Sequence, residues 1–152
     1  MYMRKTVIML LLLTAQLTGW AQTGLHINEL FEGRIIPQER MMESRVRGKP
    51  IAKYQLTYYR SLRLNVTNKE AGQLRQLLGL DTEQSIDWRT SRKNPHSWDT
   101  WTCKMQMPSA GNQNRFLCYQ EEWDKEHEQC KLTVIYMEGS VDNLEKLEQL
   151  LK

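Results

Sequence analysis

Between Tyr54 and Val66 the chain alternates. Tyr54, Leu56, Tyr58, Leu62, Leu64 and Val66 share one parity; Gln55, Thr57, Ser61, Arg63 and Asn65 have the other. A period of two marks a β-strand with one buried face, and such a strand needs a sheet to sit in and a layer to cover it. The run is long for one strand, which predicts a bend near Arg60-Ser61. A helix starting at Pro50 also fits Ile51, Tyr54 and Tyr58, and the strand is the preferred reading from Leu56 onward.

The flanking segments supply the layers. Thr67-Asn-Lys-Glu70 is a capping box, in which the threonine hydroxyl and the glutamate satisfy each other's backbone amides. Ala71, Leu74, Leu77 and Leu78 form an apolar stripe, and Gly79 stands where a helix ends in a left-handed residue. The expected helix is therefore Thr67 to Leu78. Trp101–Met107, Arg115–Glu121 and Lys131–Met137 read as three short strands joined by polar connections at 108–114 and 122–129, a pattern that favours antiparallel hairpins. Ser140 is the expected cap of a last helix whose inner face is Val141, Leu144, Leu147 and Leu151. Upstream, Ile27–Glu32 fits a short helix with Gly33 just past its end, and Arg34–Pro50 fits either an edge strand or a loop. Residues 81–99 read as a long polar connection containing Ile86, Trp88 and Trp98. The expected fold class is α+β: an antiparallel sheet, made of the C-terminal three-strand meander plus the strand near 56–66, with two main amphipathic helices on one face.

Three segments, Lys53–Leu64, Asn114–Gln120 and Leu132–Gly139, followed by the short amphipathic helix, together resemble small exported proteins of unknown function in Bacteroidota. The resemblance covers most of the chain after the leader. It implies a periplasmic or secreted α+β domain and carries over no catalytic residues.

The first 21 residues have the form of a cleavable signal peptide. Arg4 and Lys5 precede a mostly apolar stretch from Thr6 to Leu17, and Gly19 and Ala21 are the small residues before a cut at Gln22. The apolar run is interrupted by Thr14, Gln16 and Thr18, so it is too short to span a bilayer, which takes about 20 apolar residues. The short charged region and the Ala-Gln junction are bacterial in type. The expectation is an exported protein, periplasmic or extracellular, comprising one domain from residue 22 to 152 with no transmembrane segment. Charge divides along that chain: residues 22–79 carry ten Lys/Arg against five Asp/Glu, and residues 80–152 nine against thirteen. The basic residues among positions 34–53 are too dilute, and too mixed with Glu39 and Glu43, for a nucleic-acid tract. Two halves with complementary surfaces account for the division.

Catalytic signatures are absent from the sequence. The G-x-S-x-G elbow does not occur, no cofactor motif is present, and no spacing pairs Cys103, Cys118 or Cys130 with His96 or His127. His127 and Cys130, with Glu126 and Glu128, offer metal donors in one loop but lack the paired close spacing of zinc sites. The acidic run from Glu121 to Glu128 lacks the glycine and spacing of a calcium loop, and reads as a solvated hairpin connection. Asn65-Val66-Thr67 matches a glycosylation sequon, but Thr67 is already employed as a helix cap.

The segment from Asp87 to Trp101 is richest in binding chemistry. Trp88, Trp98 and Trp101 with Arg89, Arg92 and His96 are the residue types that dominate interface hot spots and stack on sugar rings. The competing reading is that the tryptophans pin a long loop to the sheet. Two of the three thiols are expected to pair. Cys103 and Cys118 lie at equal chain distance from the midpoint of the 108–114 connection, so a symmetric hairpin sets them face to face within disulfide reach. Cys130 is then left free; the alternative is three reduced, packed thiols. Taken together, the first functional reading is a non-enzymatic envelope or secreted module that binds a protein partner. The second is a glycan-binding module using the Trp segment, and the third a small Cys/His hydrolase or thiol enzyme.

Overall fold

A computed structural model describes residues 24–95 and 97–152. The expected signal peptide and its cleavage point lie outside the described residues, as does His96. The elements in chain order are α1 (Asn28–Phe31), a 3-10 turn (Gln38–Arg40), β1 (Met42–Arg47), α2 (Lys49–Ala52), β2 (Leu56–Val66), α3 (Asn68–Gln84), β3 (Asp87–Lys93), β4 (Trp98–Ala110), β5 (Gln113–Asp124), β6 (Gln129–Gly139) and α4 (Leu144–Leu150). The six strands form one antiparallel sheet in the order β1-β2-β6-β5-β4-β3. The class is α+β, as the sequence indicates.

Strand β2 is continuous through Arg60-Ser61; its irregularity is a register shift between Leu56 and Tyr58. Tyr58, Leu62, Leu64 and Val66 are buried on one face, joined there by Arg60, whose guanidinium lies 4.8 Å from the Phe31 ring centroid and donates to the Phe31 carbonyl at 3.2 Å. The 34–50 segment resolves into edge strand β1, paired along β2 from Met42↔Arg63 to Arg47↔Tyr58. Its charges guard the open edge.

The capping box forms as expected: Thr67 Oγ1 accepts from the Glu70 amide at 3.2 Å, and Glu70 Oε1 accepts from the Thr67 amide at 3.0 Å. Arg40 clamps the same carboxylate bidentately at 2.7 and 2.9 Å. This clamp, followed by the two Thr67 contacts, holds the Glu70 carboxyl at about 2, well under its ordinary range.

Helix α3 does not stop at Leu78. It continues through Gly79 to Gln84 because Asp81, fully buried, has work in the next turn: its carboxylate accepts the amides of His26 and Ile27 at 2.7 and 2.9 Å and caps the N-terminal segment. A second buried carboxylate, Glu121, ties α3 to the sheet. Arg75 Nε donates to both its oxygens at 2.8 and 3.0 Å, Tyr119 Oη donates at 2.9 Å and Trp123 Nε1 at 3.3 Å. Buried charge is tolerated when it is hydrogen-bonded in this way.

Four further expectations are corrected. Residues 87–93 are not a loop but strand β3, which pairs with β4 from Asp87↔Gln106 to Lys93↔Thr100. Asn143, not Ser140, caps the last helix, accepting from the Lys146 amide at 2.9 Å. The two main helices do not share a face. Leu74 and Leu78 of α3 pack with Cys103, Met105, Tyr119 and Val134, whereas Leu144 and Leu147 of α4 pack with Phe116, Met137 and Ile51. Phe116 and Leu117 belong to opposite clusters, so α3 and α4 cover opposite sides of the sheet. An amphipathic stripe tells that a helix is covered, not on which side.

The fourth correction is the disulfide. Strand β4 runs on to Ala110, a register shift falls between Met107 and Ala110, and the turn tightens to Gly111-Asn112 with Gly111 at φ +59. The pairing is thereby offset by one residue from the symmetric hairpin: Cys103 stands opposite Tyr119, and Cys118 opposite Lys104. One residue of slip sends a side chain to the other face, so Cys103 and Cys118 project to opposite sides of the sheet. All three cysteines are free thiols.

Candidate functional site

Strands β5 and β6 carry apolar residues at both parities where they approach α4. Phe116 and Leu117, then Ile135, Tyr136 and Met137, form continuous runs, which is the pattern of strands covered on both faces. α4 supplies that second cover, but it is only seven residues long. It shields one end of its face of the sheet and leaves a cleft beside it. The cleft has a volume of about 450 Å³ and is lined by Tyr59, Phe116, Ile135, Met137, Leu144, Leu147 and Leu151, with Lys104, Cys118, Glu148 and Lys152 among them.

The frame of the cleft is held by polar contacts. Asn114 Nδ2 donates to the Val141 carbonyl at 2.7 Å, and Gln106 Nε2 to the Asp142 carbonyl at 3.3 Å; both anchor the segment that leads into α4. Glu148 on α4 accepts from Lys104 Nζ at 3.3 Å and lies 3.9 Å from Arg89 of β3. Burial raises the Cys118 thiol above its ordinary value; the neighbouring ammonium of Lys104 opposes the shift and Glu148 adds to it.

A second cavity of about 630 Å³ adjoins on the same face, where α4 no longer reaches. Its lining is more polar than that of the cleft: Arg40, Arg63, Asn65, Gln120, Glu122, Lys131 and Thr133 share it with Met42, Leu64, Leu132 and Ile135. Ile135 lines both cavities. The α4 side of the sheet therefore presents one furrow, apolar under the helix and polar beyond it. Among the polar lining, Arg40 is neutralised by Glu70, while Arg63 and Lys131 stand against the single carboxylate of Glu122. Lys131 Nζ lies 5.1 Å from the Trp98 ring centroid.

Alternation along the β3–β4 pair separates the residues that the sequence grouped as one binding segment. Trp88, Arg92 and Trp101 fall on the α3 side, with Arg92 directly opposite Trp101 and Trp101 packed edge-on to Tyr119 at 5.8 Å. Arg89 and Trp98 fall on the α4 side, near Glu148 and Lys131. A sheet lies between Trp98 and the other two rings, so the three tryptophans form no common stacking platform. The thiols are poor nucleophiles. Burial pushes Cys103 up to about 11 and Cys130 up to about 12. His26 is engaged with Asp81 at 3.1 Å, and His127 with Asp124 at 2.6 Å in the exposed 125–128 turn. The described residues contain no group of three or more His, Cys, Asp or Glu side chains placed to share a metal ion.

Sequence reasoning missed Arg63, Lys131 and Lys104, because polar positions on a strand read as solvent-facing; it missed Glu148 as a polar position of a helix, and Ile135 because its face of the sheet was not expected to be covered. The signal that points to them is the two-parity apolar run at 116–117 and 135–137, which demands a cover on both faces.

The profile of one protein family, described as a family of unknown function (DUF6108), matches residues 14–151. No curated protein and no solved structure matches the chain. No helix among the described residues is long and apolar enough to cross a membrane.

Proposed function

We infer that this chain, which belongs to the family of unknown function DUF6108, is an exported, non-enzymatic binding module that works in the periplasm or outside the cell. The ligand class it fits is an amphipathic anion, with an apolar body under α4 and an anionic end over Arg63 and Lys131. The observation that carries this reading is Ile135, the shared wall of an apolar cleft and a cationic one. Cavities of a few hundred Å³, mostly apolar with a few placed polar groups, are the usual form of small-molecule sites. A lone alkyl chain leaves the polar cavity unused, and a sugar leaves the apolar one unused; an amphiphile uses both. Export is supported by the leader-like first 21 residues.

The test is titration of the purified protein with an alkanoate series, followed by displacement of a fluorescent fatty acid. Affinity should rise with chain length until the apolar cleft is filled. An alkyltrimethylammonium of equal length should bind more weakly. Ile135→Glu sets a carboxylate at the junction and should abolish binding, while Arg63→Glu and Lys131→Glu should each weaken it about tenfold, the ~1.4 kcal/mol of one lost charge contact. Equal binding of the anionic and cationic amphiphiles, or full binding by Ile135→Glu, refutes the assignment.

A further inference from the structure

We propose that the open edge of β3 is an interface between two copies of this chain, joined as an antiparallel β3–β3 pair about a twofold axis through Thr90. β3 is the terminal strand of the sheet, and among the described residues no strand pairs with its outer side. Six of its seven residues are exposed. Edge strands present a row of unpaired backbone groups, and proteins that remain monomeric normally blunt them. Strand β3 carries charges as β1 does, but on β3 they are placed so that the strand complements a reversed copy of itself, and exposed apolar side chains stand beside them. The exposed large apolar side chains include Leu80 at 42%, Ile86 at 62% and Trp88 at 52%, all within the end of α3 and the start of β3.

The sequence Asp87-Trp-Arg-Thr-Ser-Arg-Lys93 is self-complementary when reversed about its centre. With Thr90 opposite Thr90 of the second copy, Asp87 meets Lys93, Trp88 meets Arg92 and Arg89 meets Ser91. The first pair is an ion pair and the second a cation–π pair, each made twice by symmetry. Both members of each pair lie on the same side of the sheet, Trp88 and Arg92 on the α3 side and Asp87 and Lys93 on the other. The neighbouring registers are worse. A slide of one step in one direction sets Arg89 against Arg89, and in the other sets Arg89 against Lys93 twice; like charges directly opposite destabilise a strand pair. Offsets that match odd with even positions oppose an outward-pointing amide to an inward-pointing one. Of these registers the centred one satisfies the backbone and the charges along the whole strand.

Sedimentation velocity of the purified protein over a range of concentrations and salt tests this. A dimer is expected, with Asp87→Lys and Lys93→Asp each raising its dissociation constant at least tenfold. The double variant Asp87→Lys/Lys93→Asp restores opposite charges and should dimerise again. An equimolar mixture of the two single variants should form a heterodimer, since each reversed charge then meets its opposite on the other copy. Independently, with Cys103, which stands opposite Thr90 on β4, first replaced by serine, Thr90→Cys should yield a disulfide-linked dimer under mild oxidation, because position 90 faces itself, while Ser91→Cys should not. A protein that stays monomeric at all concentrations overturns the proposal. So does a dimer indifferent to both charge reversals, which would place the interface elsewhere. The ligand titration reads the furrow on the sheet's face and not its edge, so either result stands without the other.

Discussion

Replacing Gly139 by alanine tests the close approach of β2 and β6 at the end of the sheet. A Cβ built at position 139 lies 2.1 Å from the Gln55 carbonyl oxygen, 2.8 Å from the Leu56 Cα and 3.0 Å from the Gln55 carbonyl carbon. Ordinary carbon–oxygen contact needs about 3.3 Å, so the backbones must part by about 1 Å. The obstacles are main-chain atoms, so no side chain can swing aside to relieve them. Parting the strands also disturbs the hydrogen bond from the Ser140 amide to the Gln55 carbonyl, now 3.0 Å long. Overpacking of this kind costs about 1–3 kcal/mol, and the weakened hydrogen bond adds about 1 kcal/mol. The expected loss is about 3 kcal/mol, or roughly a 12 °C fall in melting temperature for a chain of this size. Gly79 is the matched control. It sits inside α3 with open space around its Cβ position, so Gly79→Ala should stabilise by about 0.8 kcal/mol through helix propensity alone. Thermal melts and urea titrations of both variants read the effect. A Gly139→Ala protein that melts with the wild type would refute the close approach, and a Gly79→Ala protein less stable than the wild type would refute the continuation of α3 past Leu78.

Leu147→Asp sets a carboxylate among Phe116, Met137 and Leu144 and should lower stability by about 3 kcal/mol or more, whereas Glu145→Ala on the exposed side of α4 should leave the melt unchanged. Glu70 should shape acid unfolding. Its folded-state value is lowered to about 2, so the unfolded chain binds the proton more readily. Its contribution is then fully present above the ordinary carboxylate value and is lost as pH falls from there toward about 2. Urea midpoints of wild type and Glu70→Gln should converge as pH drops through that window. Under non-reducing conditions, peptide mapping should find no link between Cys103 and Cys118, and Cys118, lining the cleft while the other two are buried, should be the first thiol alkylated.

Local chemistry was legible wherever a segment answers only to itself. The alternation of 56–66 gives a strand whichever neighbours it finds, and Thr67 and Glu70 close their capping box within one turn. Strand β3 was illegible because both its sides are polar: Asp87, Arg89, Arg92 and Lys93 show no buried face, and only the ladder to β4 makes the segment extended. Gly79 marks an end for helix α3 on sequence grounds, because glycine is the commonest stop. Asp81 overrode that by capping the amides of His26 and Ile27, residues more than fifty positions away. The residues of the 87–101 segment adjoin in sequence, but strand alternation puts Trp88 and Trp98 on opposite sides.

By itself, then, the sequence determined which stretches are strands and helices in the core, through hydrophobic period and capping, because those forces act within a few residues. Only the tertiary structure decided the register of the β4–β5 hairpin, where one residue of bulge moved Cys118 away from Cys103 and into the cleft. Only it decided which side each helix covers. A short α4 on the side opposite α3 leaves the furrow at Ile135 open. Faces and registers depend on which distant strand pairs with which, and the side-chain period of two makes every such choice all-or-none.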